Sequence, residues 1–266
     1  MTLARTRGLS RRRAERLVAQ AKEVVSIAGR VEILSRHFLG YPYKSNPLIG
    51  SADTAEVFSV SLDHFDCVTY LETILALARA SDVDEFTACL RQIRYEHGRI
   101  RWELRHHYMT AWIRTNIREG IIAPISTSNL PTVNRARALD HVPGIAARRT
   151  TVKCVPKRAI PALVPHLRSG DLIFFVSTRR NLDIFHAAII VRDGQRVRIR
   201  HASRSQGGVV EQELREFLMA NRMAGVTVAR PRPVARRILP TNSRRRGDYA
   251  QSFRAKQERT RRKERL

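Results

Sequence analysis

The apolar residues of this chain change their spacing near its middle, from a helical period to the alternation typical of β-strands. In the first half they recur at helical intervals over residues 10–38 and 67–80. The capping pattern "SDVD" at 81–84 opens a further helix, and residues 121–150 are irregular. In the second half, strand-like runs occupy 151–155, 171–176, 183–191, 196–202 and 226–231, with one helix at 211–224. Helices first and strands second predict an α+β fold, in which N-terminal helices pack on an antiparallel β-sheet.

The length of 266 residues suits one hydrophobic core. We predict a single domain over 17–237, between a basic N-terminal arm at 1–16 and a basic, disordered tail at 238–266. The N-terminus lacks the apolar stretch of a secretory signal, so a cytoplasmic protein is expected, or a periplasmic or exported one if the true start lies upstream. No apolar run approaches the ~18–20 residues of a membrane span. We expect a monomer.

The charge of the chain is strongly positive, with a formal net charge of +25. Such a surface favours anionic partners, and the basic arm and tail are where nucleic acid or an anionic polymer would bind. An arginine-rich, solvated surface without any partner explains the charge equally well.

The cysteines are few and far apart. Cys67, Cys89 and Cys154 form no CxxC pair, which argues against a disulfide scaffold and a structural zinc site. The metal-type spacing of Glu103 and His106 has no second carboxylate–histidine pair beside it, so it is treated as chance. We therefore expect neither a metal nor another cofactor.

Cys67 lies at the start of the predicted second helix, in "HFDCVTYLETILALARA". Asp66 is a good N-cap, and this places Cys67 in the first turn with its own N–H free to help hold an oxyanion. The helix N-terminus and a neighbouring imidazolium would lower the pKa of the thiol below its usual value of about 8.5. A nucleophile is one interpretation, and a buried packing residue is the other.

Two histidines are aligned by a predicted hairpin in "IIVRDGQRVRIRHAS". If Asp193 and Gly194 form a two-residue turn, His186 lies directly opposite His201 on the neighbouring strand. Both rings then interrupt otherwise apolar faces, which is costly without a purpose. His186 could accept the thiol proton, and His201 could fix the tautomer of His186. A register shift of one residue would remove this arrangement.

Several stretches of the chain resemble a known superfamily. The series "SGDLIFFV", "DIFHAAIIV" and "RHAS" resembles the NlpC-type cell-wall cysteine peptidases, which have a papain-like fold. A narrower resemblance, over roughly 36–231, is carried by "HFLGYPYKSNPLIG", "FDCVTYLETILALA", "IRYEHGRI", "HHYMTAWIRTN" and "LDIFHAAIIV" with "RHASRSQGGVV". These stretches resemble the branch described as N-acetylmuramoyl-L-alanine-amidase-like.

The resemblance implies roles for three residues. The nucleophile corresponds to Cys67, the base to His186 and the third polar residue to His201. The implied reaction is hydrolysis of the amide between N-acetylmuramic acid and L-alanine in peptidoglycan fragments (muropeptides). The sequence departs from the family at Ala111, where an aspartate usually precedes the tryptophan, and substrate affinity or specificity is the property that this change would affect.

Further residues are candidates for contacts with the substrate. Tyr43 could line the cleft or pack against the first helix, and Asp66 and Ser203 lie beside the proposed triad in the sequence pattern. A second group combines polar and aromatic side chains suited to gripping a sugar or peptide: His107, Tyr108, Trp112 and Asn116. A helix that docks through its tryptophan explains this second group equally well.

Two other functions compete with the amidase. One is a polyanion-binding protein, for nucleic acid or envelope polymers, on a degenerate papain-like scaffold; its binding would be salt-sensitive and would survive loss of Cys67. The other is a papain-like acyltransferase or protease with the same triad and another substrate. Specificity would reside in the loops 41–63 and 121–150, and the sequence does not separate these enzymes.

Overall fold

Helices fill the first half of the chain and a sheet the second, as the change of period predicts. The computed structural model describes residues 8–234. Its helices are α1 (Arg11–Lys22), α2 (Ile27–His37), α3 (Cys67–Arg79), α4 (Val83–Arg94), α5 (Met109–Arg118), α6 (Ile160–Leu163) and α7 (Leu214–Ala220). Its strands are β1 (Ile122–Pro124), β2 (Val133–Leu139), β3 (Arg148–Pro156), β4 (Leu172–Val176), β5 (Ile184–Asp193), β6 (Arg196–Ser203), β7 (Gly208–Glu213) and β8 (Gly225–Pro231). The predicted tail, 238–266, lies outside the described residues.

The N-terminal region differs from the prediction in two ways. The single helix expected over 10–38 is two helices, because the chain leaves the helix after Lys22 and Ser26 caps a new one by accepting a hydrogen bond from the Gly29 N–H at 3.1 Å. The predicted arm is also too long. Residues 11–16 belong to α1, and the side chain of Ala14 is fully buried in the core.

All strands pair in antiparallel fashion, which confirms the predicted sheet. Their order is β2-β3-β8-β4-β5-β6-β7, with β1 beside β8. The segment predicted to be irregular, 121–150, contributes β1 and β2. The helix predicted over 211–224 is wrong at its start, because residues up to Glu213 form β7 and pair with β6. This pairing uses the β-branched Val209 and Val210 and overrides the local helical pattern.

Two apolar cores cover the two faces of the sheet. On one face α1 to α5 pack against alternate sheet residues such as Phe174 and Ile189. On the other face α6 and α7 pack against Phe175 and Ile190. The central helix, α3, is buried along its length and contacts β5 and β6, so its N-terminus is held against the sheet. Within residues 8–234, no helix combines the length and apolar character needed to cross a membrane.

Candidate active site

Cys67 is the first residue of α3, and the helix start is built as the sequence predicts. The Asp66 carboxylate accepts hydrogen bonds from the N–H groups of Val68 at 3.1 Å and Thr69 at 2.7 Å. In return, the Thr69 hydroxyl accepts a hydrogen bond from the Asp66 N–H at 3.0 Å, which completes a capping box. The predicted N-cap is confirmed. Both backbone bonds end on Asp66 Oδ1, and a contact of Asp66 with substrate stays a prediction.

The charge state of Cys67 differs from the expectation. Burial, together with the smaller effect of the negative charge of Asp66, raises the pKa of the thiol to about 12. The backbone N–H groups of Ala187, Cys67 and Val68 act in the opposite direction but do not outweigh burial. The expected lowering of the pKa is therefore wrong for the free protein. Its thiol is neutral, and a nucleophilic role for Cys67 requires a nearby base that removes the proton.

His186 and His201 are hydrogen-bonded, with 2.7 Å between Nε2 of the first ring and Nδ1 of the second. The predicted register is nonetheless wrong by two residues. Asp193 pairs with Arg196, so the turn consists of Gly194 and Gln195. A shift by two residues keeps both side chains on the same face of the sheet, because side chains along a strand alternate with a period of two. The histidines therefore meet although the predicted turn is wrong.

The hydrogen-bond chain continues to a residue that the sequence analysis missed. His201 Nε2 lies 3.0 Å from the amide oxygen of Gln212, which also accepts a hydrogen bond from the Gln206 amide at 3.1 Å. Gln212 is on β7, in the segment predicted to be a helix, and a strand prediction for that segment would have placed it near His201.

This chain determines the tautomers of both rings. An amide oxygen can only accept, so His201 Nε2 carries hydrogen and its Nδ1 accepts from His186 Nε2. The remaining ring nitrogen, His186 Nδ1, then has a free lone pair. Cys67 approaches the same strand at the Ala187 N–H, the neighbour of His186. An imidazole with an unprotonated ring nitrogen therefore lies on the strand that the Cys67 thiol approaches, and a second ring and an amide fix its tautomer.

Aromatic residues surround the two imidazoles. The His186 ring is stacked against Phe175 and Phe217, with centroid distances of 6.1 and 5.4 Å, and the edge of His201 meets Phe217 at 5.5 Å. Burial, with a smaller contribution from the neighbouring His201, lowers the pKa of His186 to about 3. Burial also lowers the pKa of His201. Both rings are therefore neutral at pH 7, which leaves the Nδ1 lone pair of His186 available as a base.

Comparison with known proteins identifies the family. A model of the N-acetylmuramoyl-L-alanine amidase-like family (AmiA-like) matches residues 33–226. The chain belongs to this family. No curated protein matches it.

Solved structures share the fold of this amidase-like protein. A Legionella pneumophila protein of the DUF1460 family has a TM-score of 0.73 at 19% identity, over 84% of this chain and 95% of its own. A structure named as an N-acetylmuramoyl-L-alanine amidase from Bacteroides uniformis has a TM-score of 0.68 at 22% identity, over 77% of this chain and 99% of its own. These similarities establish the mixed helix and antiparallel-sheet fold.

Two other predicted residues of this amidase-like protein lie near the site. The backbone N–H of Tyr43 donates to Gly207 O at 2.8 Å, which ties its loop to the turn between β6 and β7. Burial raises the pKa of Tyr43, and the nearby Cys67 contributes to the shift. Ser203 is buried, and its hydroxyl accepts from the Gln206 N–H at 3.3 Å, so it shapes the same turn. Their contact with substrate stays a prediction.

The prediction that Trp112 and Asn116 contact a sugar or peptide substrate is wrong. Both side chains are fully buried between helices and the sheet, where the Trp112 indole donates to Glu72 at 3.2 Å and the Asn116 amide donates to Trp112 O at 2.9 Å. Tyr108 is also buried, so it offers little surface to a substrate. The alternative interpretation, a helix that docks through its tryptophan, describes α5.

His107 lies elsewhere in the amidase-like fold. It lines a pocket of about 200 Å³ together with Ala111, and none of the three proposed triad residues lines this pocket. His107 donates from Nε2 to Trp102 O at 2.7 Å. Among the described residues, no three His, Cys, Asp or Glu side chains are grouped so as to hold a metal ion. The structure thus brings together Cys67, His186 and His201 but not the second group.

Proposed function

We propose that this protein is a cysteine amidase that hydrolyses the bond between N-acetylmuramic acid and L-alanine in peptidoglycan fragments. The observation that carries the proposal is the hydrogen-bond chain from Gln212 through His201 to His186, which leaves one lone pair of His186 beside the strand that Cys67 approaches. Membership of the amidase-like family supplies the bond type. The triad and the muropeptide substrate are the parts that experiment must test.

The first half of the proposed reaction forms a thioester. His186 Nδ1 takes the thiol proton as Cys67 Sγ attacks the lactyl carbonyl carbon of muramic acid. The carbonyl oxygen becomes an oxyanion, for which the first N–H of α3, that of Cys67, is the available donor because the Asp66 cap occupies the next two. When the amide bond breaks, the imidazolium gives its proton to the leaving L-alanine nitrogen.

The second half releases the sugar acid. His186 takes a proton from water, the resulting hydroxide attacks the thioester carbonyl, and Cys67 leaves as the thiolate and regains its proton from His186. The products are a free muramic acid carboxylate and a peptide that begins with L-alanine. His201 and Gln212 exchange no proton with the substrate in this scheme; they hold His186 in one tautomer and orientation.

The same observations support a papain-like, NlpC-type classification of the fold, which we propose together with the mechanism. The supporting features are a cysteine at the start of a helix buried against an antiparallel sheet and a histidine on the strand that the helix approaches. Tyr43, which lies near Cys67, and the turn between β6 and β7, to which its backbone is bonded, are proposed to form one wall of the substrate cleft.

Hydrolysis of a muramyl-peptide panel by the full chain, followed by mass spectrometry, tests this function. The wild type is expected to release peptides that begin with L-alanine, and Cys67→Ala to lower kcat by at least ~10³-fold. Cys89→Ala is the matched control, since Cys89 is also partly buried and lies on α4, and it should keep activity within about threefold of the wild type.

Two results would contradict the proposal. One is hydrolysis by Cys67→Ala at the wild-type rate, which would exclude the nucleophile. The other is that the wild-type protein leaves every muramyl peptide uncleaved while its Cys67 is acylated by other activated esters or amides. This result would favour a papain-like enzyme with another acyl substrate. Parallel assays on soluble fragments and on intact peptidoglycan would show which form of the substrate the cleft accepts.

A further inference from the structure

A basic groove lies on the ribbon formed by β2 and β3, and the proposed triad residues do not line it. Between residues 133 and 182 the chain carries ten Lys or Arg but only two Asp and no Glu. One of these acids, Asp171, is already paired with Arg230 at 2.7 Å. The ribbon and the turn at 177–182 enclose a groove of about 1120 Å³. Its lining residues include Arg135, Arg137, Arg149 and Arg180, and no carboxylate.

The groove is held in shape by Arg137. The side chain of Arg137 is buried, and its guanidinium donates to Leu182 O at 3.1 Å and to Ser177 O, which clamps β2 to the 177–182 turn. A backbone hydrogen bond of 3.0 Å from Ala138 N to Arg180 O adds a second link. The walls of the groove are therefore fixed by buried polar contacts, so the arginines on its rim sit on a rigid support.

The three other arginines are available to a ligand. Arg135, Arg149 and Arg180 are exposed, and within the part of the chain that the structure describes no carboxylate forms a salt bridge with any of them. Between them the floor consists of short side chains, among them Ala136, Ala138, Thr150 and Thr151. Short side chains between arginines allow a chain of phosphates to approach the strands closely.

We propose that this groove binds the phosphate backbone of a double-stranded nucleic acid. Single-stranded nucleic acids are recognised by stacking of bases on aromatic side chains, and no aromatic residue is among those that line the groove. Insertion into a lipid surface needs exposed apolar side chains, and the one large apolar residue of the groove, Met223, is buried. Arginine and threonine side chains on a rigid ribbon match phosphate contacts without base readout.

Fluorescence anisotropy of a labelled duplex of about 20 base pairs tests the proposal, with salt varied from about 50 to 200 mM. The full chain is used, so that the terminal segments are the same in every variant. The triple variant Arg135→Ala, Arg149→Ala, Arg180→Ala is expected to bind at least about tenfold more weakly at the lower salt concentration. The slope of log affinity against log salt should become shallower by about 2 to 3, because each lost phosphate contact removes nearly one counterion.

The matched control removes the same charge elsewhere, with Arg99→Ala, Arg196→Ala and Arg215→Ala, all exposed, outside the groove and outside the basic arm and tail. It should bind within about twofold of the wild type. Equal weakening of both triple variants, or of neither, would overturn the proposal, since binding would then follow net charge or another segment. Groove-dependent binding to phosphatidylglycerol vesicles or to single strands, without binding to the duplex, would also overturn it. Because none of the three proposed triad residues lines the groove, the groove variant should retain hydrolysis of muramyl peptides.

Discussion

The protein holds two pairs of buried or half-buried histidines, and they are built very differently. His186 and His201 come from neighbouring strands and form a continuous chain of hydrogen bonds that ends at Gln212. His106 and His107 are adjacent in sequence and lie beside α5. Nε2 of His106 is buried and has no hydrogen-bond partner among the described residues, whereas His107 bonds the backbone oxygen of Trp102.

Both pairs have lowered pKa values. Burial lowers the pKa of His106 and of His107 to about 4, with nearby arginines adding to the effect, and it lowers the pKa of His186 to about 3. A lowered pKa therefore does not by itself distinguish the proposed catalytic pair from the other pair in this molecule. The two pairs differ in their hydrogen bonds. Only in the His186–His201 pair does a hydrogen-bond chain fix the tautomer of a ring on the strand that Cys67 approaches.

The largest expected effect compares His186→Gln with His106→Gln. Loss of the proposed base should lower kcat/KM for muramyl-peptide hydrolysis by ~10²–10⁴-fold, while the change at His106 should alter it by less than about threefold. Steady-state kinetics of both variants checks this. Equal losses in the two variants would show that the hydrogen-bond chain does not distinguish the pairs.

A smaller effect is expected at Gln212. Gln212→Leu removes the acceptor for His201 Nε2, frees the ring to adopt the wrong tautomer, and should lower kcat by about 10- to 100-fold. Gln212→Glu keeps an acceptor and should recover most of the rate. Its negative charge favours the imidazolium, so the acid limb of its pH–rate profile should move to higher pH. An unchanged acid limb would argue that Gln212 only supports the fold.

The two pairs should behave alike in stability. Each lowered histidine pKa means that the unfolded chain binds more protons than the folded protein below about pH 6.5, so the free energy of unfolding falls as the pH falls. Between pH 7 and 5, His186→Gln and His106→Gln should each reduce this fall by about 1 to 2 kcal/mol. Urea unfolding at both pH values measures it. If the pH dependence of the free energy of unfolding were the same in both variants as in the wild type, the burial of neutral rings would be contradicted.

The smallest effect concerns the thiol of Cys67. Because burial raises its pKa, alkylation by iodoacetamide at pH 7 should be slower than that of a free cysteine peptide and should rise steadily towards pH 10. His186→Gln should change this rate by less than about threefold, since the free enzyme holds a neutral thiol and a neutral imidazole. A fast reaction at pH 6 that disappears in the variant would instead reveal a thiolate–imidazolium pair.

The prediction of the fold succeeded where local pattern suffices. Helical spacing identified α3 and α4, and alternation identified the strands that contain the two histidines. It failed where long-range pairing decides: residues 211–213 were predicted as the start of a helix, although they belong to β7 and pair with β6. Gln212 was missed for this reason. Trp112 and Asn116 were assigned to a substrate site because the sequence does not say which neighbours cover a helix face.

The amino-acid sequence by itself determined the cap at Asp66, the position of Cys67 in the first turn of α3, and the common face of His186 and His201. These properties depend on neighbouring residues or on the period of a strand, which survives a register error of two. Only the tertiary structure decided the charge states and the direction of the hydrogen-bond chain. The residues that bury Cys67, and the strand β7 that brings Gln212 to His201, are distant from these side chains in the sequence. The raised pKa of Cys67 shows that burial outweighs the lowering effect of the helix N-terminus.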